Sequence, residues 1–166
     1  MNNKIFTLDD TNFLVKSAVV AALYAVLTLL LPVASYGPIQ FRFSEILVLL
    51  VFYNKRFIPG LILGCAIANL FSPMMLFDVV FGTLSSYIAF RFMIKSKSLI
   101  QASLWPVLLV MVPAIGTYLI LANDEVLYIM IAQFMLSEFI MVSIIGVIIF
   151  KILEKNEIFM NYIREF

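Results

Sequence analysis

Residues 36–57 read Tyr-Gly-Pro-Ile-Gln-Phe-Arg-Phe-Ser-Glu-Ile-Leu-Val-Leu-Leu-Val-Phe-Tyr-Asn-Lys-Arg-Phe. An apolar run, Phe43–Tyr53, lies between a Gly-Pro loop that ends in Arg42 and the basic pair Lys55 and Arg56. It is about half the length of the roughly 20 residues that a helix needs to cross a 30 Å hydrocarbon core. Arg42 and Glu45 open the run three residues apart, a spacing that puts them on one face of a helix. Ionisable side chains at membrane depth are costly and mark solute or ion pathways. The stretch therefore predicts a short helix that stops inside a bilayer beside a protein-lined cavity. Irregular backbone is tolerated at that depth only where protein or trapped water satisfies it.

The rest of the chain agrees with a membrane setting. Its 166 residues are 64% apolar and its mean hydropathy is +1.09, whereas soluble domains run at roughly 45–50% apolar. Six apolar segments follow one another: Val15–Val33, Phe43–Tyr53, Phe57–Phe71, Phe77–Ile94, Leu99–Ala122 and Val126–Ile152. The expected fold is all-α, with six transmembrane helices. The second and third form a short hairpin, and the first external loop, Ala34–Phe41, acts as a lid. The expected organisation is a cytoplasmic N-terminal segment (1–14), a six-helix transmembrane domain (15–152) and a cytoplasmic C-terminal tail (153–166).

Basic residues set the orientation. Lys4 and Lys16, Lys55 and Arg56, Arg91, Lys95 and Lys97, and Lys151, Lys155 and Arg164 all fall on one side of this topology, and only Arg42 falls on the other. The positive-inside bias then places both termini in the cytoplasm. Against that bias, Arg42 calls for a specific role. Pro32, Gly37 and Pro38 end the first segment and shape the lid loop, and Ser72-Pro73 ends the third. Pro106 and Pro113 predict a kink in the fifth. The first apolar segment is too long for a signal-peptide core and is read as retained.

Several function classes are disfavoured. A net charge of +1 offers nothing to nucleic acid. Histidine is absent and Cys65 is the single cysteine, which removes the commonest metal ligand and general base and any internal disulfide. No glycine precedes a lysine, so there is no phosphate-binding P-loop. No catalytic residue, metal or cofactor is expected, and any ATP is used by partner subunits.

Arg42, Glu45, Asn69 and Asp78 are expected to converge on the outer half of the membrane, with Gln133 and Glu138 approaching from the sixth segment. Arg42 and Glu45 either pair with each other and anchor the loop, or form the wall of a binding site. Asn69 ends the third segment and Asp78 begins the fourth. Gln133 and Glu138 lie in the sixth, Glu138 near its middle, and a lone carboxylate there needs a partner across the bundle, a proton or a ligand. Tyr36, Phe41 and Phe43 either belong to an interfacial aromatic belt or stack on a flat ligand. In the first segment Ser17, Ala21 and Ala25, and likewise Ala18 and Ala22, recur every fourth residue. Such small faces admit a second helix closely, from the same molecule or from a partner. Gly60, Gly64 and Ala68 form a similar ridge, expected to pack internally against the hairpin mate.

The runs Tyr36-Gly-Pro-Ile-Gln-Phe-Arg42-Phe-Ser-Glu45, Gly64-Cys-Ala-Ile-Ala-Asn69-Leu-Phe-Ser72-Pro73 and Phe77-Asp78-Val-Val-Phe-Gly82-Thr83-Leu resemble those of the QueT family. These are substrate-binding S components of energy-coupling factor (ECF) importers, assigned to queuosine precursors. The resemblance covers essentially the whole chain. It implies a multi-pass protein of the bacterial cell membrane without enzymatic activity. The implied partners are a transmembrane T protein and two ATPase subunits, with Ala18, Ala21, Ala22 and Ala25 in the place of the alanine-rich docking face. The implied ligand is a 7-deazaguanine: the 7-cyano or 7-aminomethyl base, or queuine. Such a base presents N1–H and a 2-amino group side by side, and one carboxylate can accept both in a strong fork. Glu45, Asp78 and Glu138 are the candidates, while Gln40, Arg42 or Asn69 could donate to O6, with Gln133 nearby. Two rival readings are an S component for another planar vitamin-like solute and an intramembrane enzyme with paired carboxylates.

Overall fold

The computed structural model describes residues 11–37, 39–121 and 124–165. Lys4 with the rest of residues 1–10, Pro38 and Asn123 lie outside the described residues. All the regular structure described is helical. Helix α1 (Thr11–Leu29) is followed by the short α2 (Pro32–Tyr36), which Pro32 starts rather than merely stopping the helix before it. Proline suits the first position of a helix because its missing N–H would be unpaired there anyway. A 3-10 turn (Phe43–Leu49) runs into α3 (Leu50–Tyr53), and a second turn (Lys55–Phe57) leads to α4 (Ile58–Asn69). Then come α5 (Met75–Phe77), a π-helical turn (Asp78–Gly82) and α6 (Thr83–Met93). Helices α7 (Leu99–Leu109) and α8 (Met111–Leu121) form one broken rod. Another is built from α9 (Asp124–Glu138), a π-helical stretch (Phe139–Gly146) and α10 (Val147–Leu153), and α11 (Glu157–Arg164) ends the described chain.

Among the described residues, Thr11–Leu29, Met75–Met93, Leu99–Gly116 and Leu127–Leu153 are long and apolar enough to cross a membrane. Phe43–Tyr53 is a shorter apolar helix, and α4 has only 12 residues. Val19, Val26, Leu84, Ile144, Ile148 and Ile152 stand exposed on the outer faces of these rods. An apolar surface of that extent belongs against lipid, as a multi-pass membrane protein requires.

The short second and third rods do not chiefly pack on each other. The ridge of α4 lies against α1 instead. A Cβ added at Gly60 would stand 2.7 Å from the Ser17 carbonyl oxygen, and one at Gly64 2.8 Å from that of Ala21. Bare backbone on α4 is therefore what lets the two helices touch. This contact divides the small residues of α1. Ala21 and Ala25 are buried in the bundle, while Ala18 and Ala22 are exposed.

The rod formed by α7 and α8 breaks at Val110 for a chemical reason. Pro113 has no N–H to offer the carbonyl four residues back. That carbonyl, on Leu109, accepts a hydrogen bond from the Ser85 hydroxyl of α6 at 2.6 Å. The core lies below this break, around Leu49, Leu61, Phe90, Met93 and Val142.

The C-terminal tail, residues 153–166, contains a docked helix. Asn156 caps α11 by accepting from Phe159 N at 3.1 Å. Met160 and Ile163 are buried against the bundle. The Asn54 amide donates to the carbonyls of Ile163 and Arg164, at 3.0 and 3.3 Å, and Tyr53 OH donates to Glu154 at 3.0 Å.

Candidate binding site

Residue 42 precedes the 3-10 turn with extended backbone (φ −93°, ψ 107°). It is therefore not on the helical face that carries Glu45. Its guanidinium turns to neutral oxygens: Nε donates to Ser35 O at 3.1 Å, and Nη1 to Asn69 Oδ1 at 3.0 Å. The expected alternative of an ion pair between Arg42 and Glu45 is not what forms. Glu45 is buried inside the first turn and accepts a hydrogen bond from the Tyr24 hydroxyl. Beside it, Thr28 is bonded both to the Tyr24 carbonyl (3.0 Å) and to the Ser44 hydroxyl (2.7 Å). A row of α1 side chains thus holds the start of the short helix.

Asn69 joins three elements. Its oxygen takes Arg42, and its amide donates to the Asp78 carbonyl at 2.9 Å and to Cys65 Sγ at 3.4 Å. A Cβ on residue 82 would stand 2.8 Å from that amide nitrogen, so Gly82 makes room for the clamp. The Asp78 carboxylate is held by the Ser72 hydroxyl, which also accepts from Met74 N at 3.1 Å. These bonds hold the turn 72–78 so that Asp78 joins the cavity lining.

Glu138 arrives from the other side. It sits where α9 gives way to the π-helical stretch. Its Oε2 is buried without a hydrogen-bond partner. The second π turn begins at Asp78. Wide turns of this kind are rare and recur at functional sites, and here each adjoins a carboxylate of the cluster.

Gln40, Arg42, Glu45, Asn69, Asp78 and Glu138 all line one cavity. Its volume is about 60 Å³, several times the 10–15 Å³ that one water needs on the same measure. Apolar and small residues complete the lining, among them Val48, Phe90, Phe134, Pro106 and Gly82. The break in the α7–α8 rod opens the space, since Pro106, Val110 and Pro113 also line it.

Other expected residues lie elsewhere. Gln133 is half-buried and does not line the cavity. Five residues of helix turn it about 140° away from Glu138. Tyr36 secures the loop from outside the cavity, donating to the Ala68 carbonyl at 2.5 Å while the Arg42 guanidinium lies 5.5 Å from its ring centre. Phe41 is half-buried and tied by its backbone N–H to Ala34 O at 2.8 Å. Phe43 is 41% exposed and points out of the bundle, as a belt residue does.

Sequence reasoning does not single out Tyr24, Ser85, Ser86 or Ser137. The last three line the cavity, and Tyr24 stands behind Glu45. Tyr24 does carry a signal: it is the one aromatic side chain with a hydroxyl in α1, and a buried phenol needs a partner. Cys65 is buried and reaches the cavity wall.

Apolar rods around an enclosed set of acids, amides and one guanidinium define a membrane protein built to hold a polar solute. A family model described as "QueT transporter" matches residues 14–155, and the chain belongs to that family of transporters rather than to a family of enzymes. The chain is also 46% identical over 82 residues to the "Queuosine precursor transporter QueT" of Lactococcus lactis subsp. cremoris. That alignment spans 48% of this chain and 48% of the relative. No solved structure matches.

Proposed function

We propose that the chain is the substrate-capture subunit of an ATP-driven ECF importer and binds a 7-deazaguanine from outside the cell. One observation carries this reading: Arg42 and Glu45 from the start of the short helix, Asn69 from α4 and Glu138 from α9 converge on a single cavity, and Glu138 Oε2 has no hydrogen-bond partner. An unpaired buried carboxylate oxygen is costly. The N1–H and 2-amino edge of a deazaguanine satisfies it in bidentate fashion. The free donors of Arg42 suit O6, and the apolar walls formed by Phe90, Val48 and Phe134 suit a flat ring. The name carried by the Lactococcus relative supports the same ligand class.

In this reading all six rods are embedded, both termini are cytoplasmic, and the loop pinned by Tyr36 and Ser35 is the lid. The chain has no ATP motif of its own, so a T protein and two ATPases drive release to the inside. Ala18 and Ala22, the exposed alanines of α1, are the part of the small-residue face open to the T protein. Metal and cofactor play no part.

The test is ligand-dependent stabilisation of the detergent-purified chain. At a concentration 100 times Kd, 7-aminomethyl-7-deazaguanine should stabilise the fold by about 2.7 kcal/mol, which raises Tm by roughly 5–11 °C in a chain of this size. Glu138→Gln should remove the shift. Failure of every deazaguanine to bind the wild-type chain would defeat the proposal.

A further inference from the structure

The charges of the cavity are unbalanced. Glu45, Asp78 and Glu138 face it with Arg42 as the single cation among its lining residues. Arg42 spends two donors on the neutral oxygens of Ser35 and Asn69. Neither of these two hydrogen bonds goes to a carboxylate. Glu45 and Glu138 line the same cavity as Asp78, so three acidic side chains share one site. Like charges in a site shielded from water repel strongly, so a neutral ligand would leave this arrangement uncorrected.

The two acids are also prepared differently. Glu138 lines the cavity, and its Oε2 is buried with no hydrogen-bond partner, so its carboxylate has unfilled acceptor capacity that a planar two-donor edge would satisfy. Glu45 has one oxygen engaged by Tyr24. It is held in a fixed direction with its other oxygen available for a single strong donor. The geometry points to a specificity device: the site selects bases bearing a protonated primary amine, whose ring edge goes to Glu138 and whose ammonium goes to Glu45. An ammonium brings three donors and a full positive charge, which reduces the excess of negative charge as well as filling the bond. This assignment rests on the deazaguanine reading above and narrows its ligand class from all such bases to the cationic ones.

The experiment compares ligands of equal shape on the wild-type chain, so it needs no variant to fold. Isothermal titration at pH 7 would measure 7-aminomethyl-7-deazaguanine against its 7-hydroxymethyl and 7-cyano counterparts, both uncharged. A charge-assisted hydrogen bond should make the amine bind about 10- to 150-fold more tightly than the hydroxymethyl base. Glu45→Gln should bring that ratio down towards one. Binding of the uncharged bases as tightly as the amine would overturn the selectivity while leaving the deazaguanine reading in place. Absence of binding by all three would overturn both.

Discussion

Replacing Gly64 by alanine offers a test in which the sign of the effect decides the matter. On an ordinary helix the change stabilises, because alanine exceeds glycine in helix propensity by up to about 1 kcal/mol. Here the added methyl would meet Tyr24 Cβ at 2.7 Å, the Ala21 carbonyl oxygen at 2.8 Å and Ala21 Cα at 3.0 Å. Ordinary van der Waals contact begins at 3.4 Å, so α1 and α4 must part by several tenths of an ångström. Two of the three atoms met are backbone, and neither can rotate aside. Overpacking of this kind costs about 1–3 kcal/mol. The expected result is a Tm lower by roughly 2–12 °C, from about 2–4 °C per kcal/mol. Thermal unfolding in detergent, followed by far-ultraviolet circular dichroism, would read it. Because Tyr24 also holds Glu45, ligand affinity should fall together with stability. A Gly64→Ala protein as stable as the parent, or more stable, would refute the close approach of α1 to α4 and with it the account of how Glu45 is positioned.

Three further changes separate parts of the structure. Tyr24→Phe keeps the ring and removes only the hydroxyl bonded to Glu45; a hydrogen bond inside a membrane bundle is worth about 1–2 kcal/mol at most, so ligand Kd should rise about 5- to 30-fold in a titration, with helix content unchanged by circular dichroism. Asn54→Ala removes the donor to the last carbonyls of α11, and hydrogen exchange across Glu157–Arg164 should accelerate while ligand affinity stays within twofold. Ala18 and Ala22 are exposed on α1, so leucine at both should alter the stability of the isolated chain by less than about 0.5 kcal/mol; co-purification with a T protein should be lost if that face is the docking surface.

Much of the helical layout is legible along the chain. Hydropathy places the rods within a few residues, because desolvation in a bilayer is a property of each segment on its own. The same local physics marks Phe43–Tyr53 as too short to span. It also isolates Arg42, Glu45, Asn69, Asp78 and Glu138 as polar residues in apolar surroundings, and the cavity collects all five. Gln133 shows where such reasoning ends. Residues 133 and 138 share a segment, yet the helix turns them to different sides and only Glu138 reaches the cavity. Spacing was equally misleading for Arg42 and Glu45. Three residues bring side chains together only when both residues are helical, and Arg42 is extended.

The amino-acid sequence by itself thus determined a helical membrane protein with a short second rod and a small set of ionisable groups inside apolar segments. Tertiary structure alone decided what those groups touch. Arg42 finds Ser35 and Asn69, Glu45 finds Tyr24, and Glu138 lines the cavity with its Oε2 buried and unbonded. Apolar surface drives each rod into lipid without regard to its rotation about its own axis. That rotation is settled only when bare glycine backbone on α4 meets α1 and when π turns redirect the residues that follow Phe77 and Glu138.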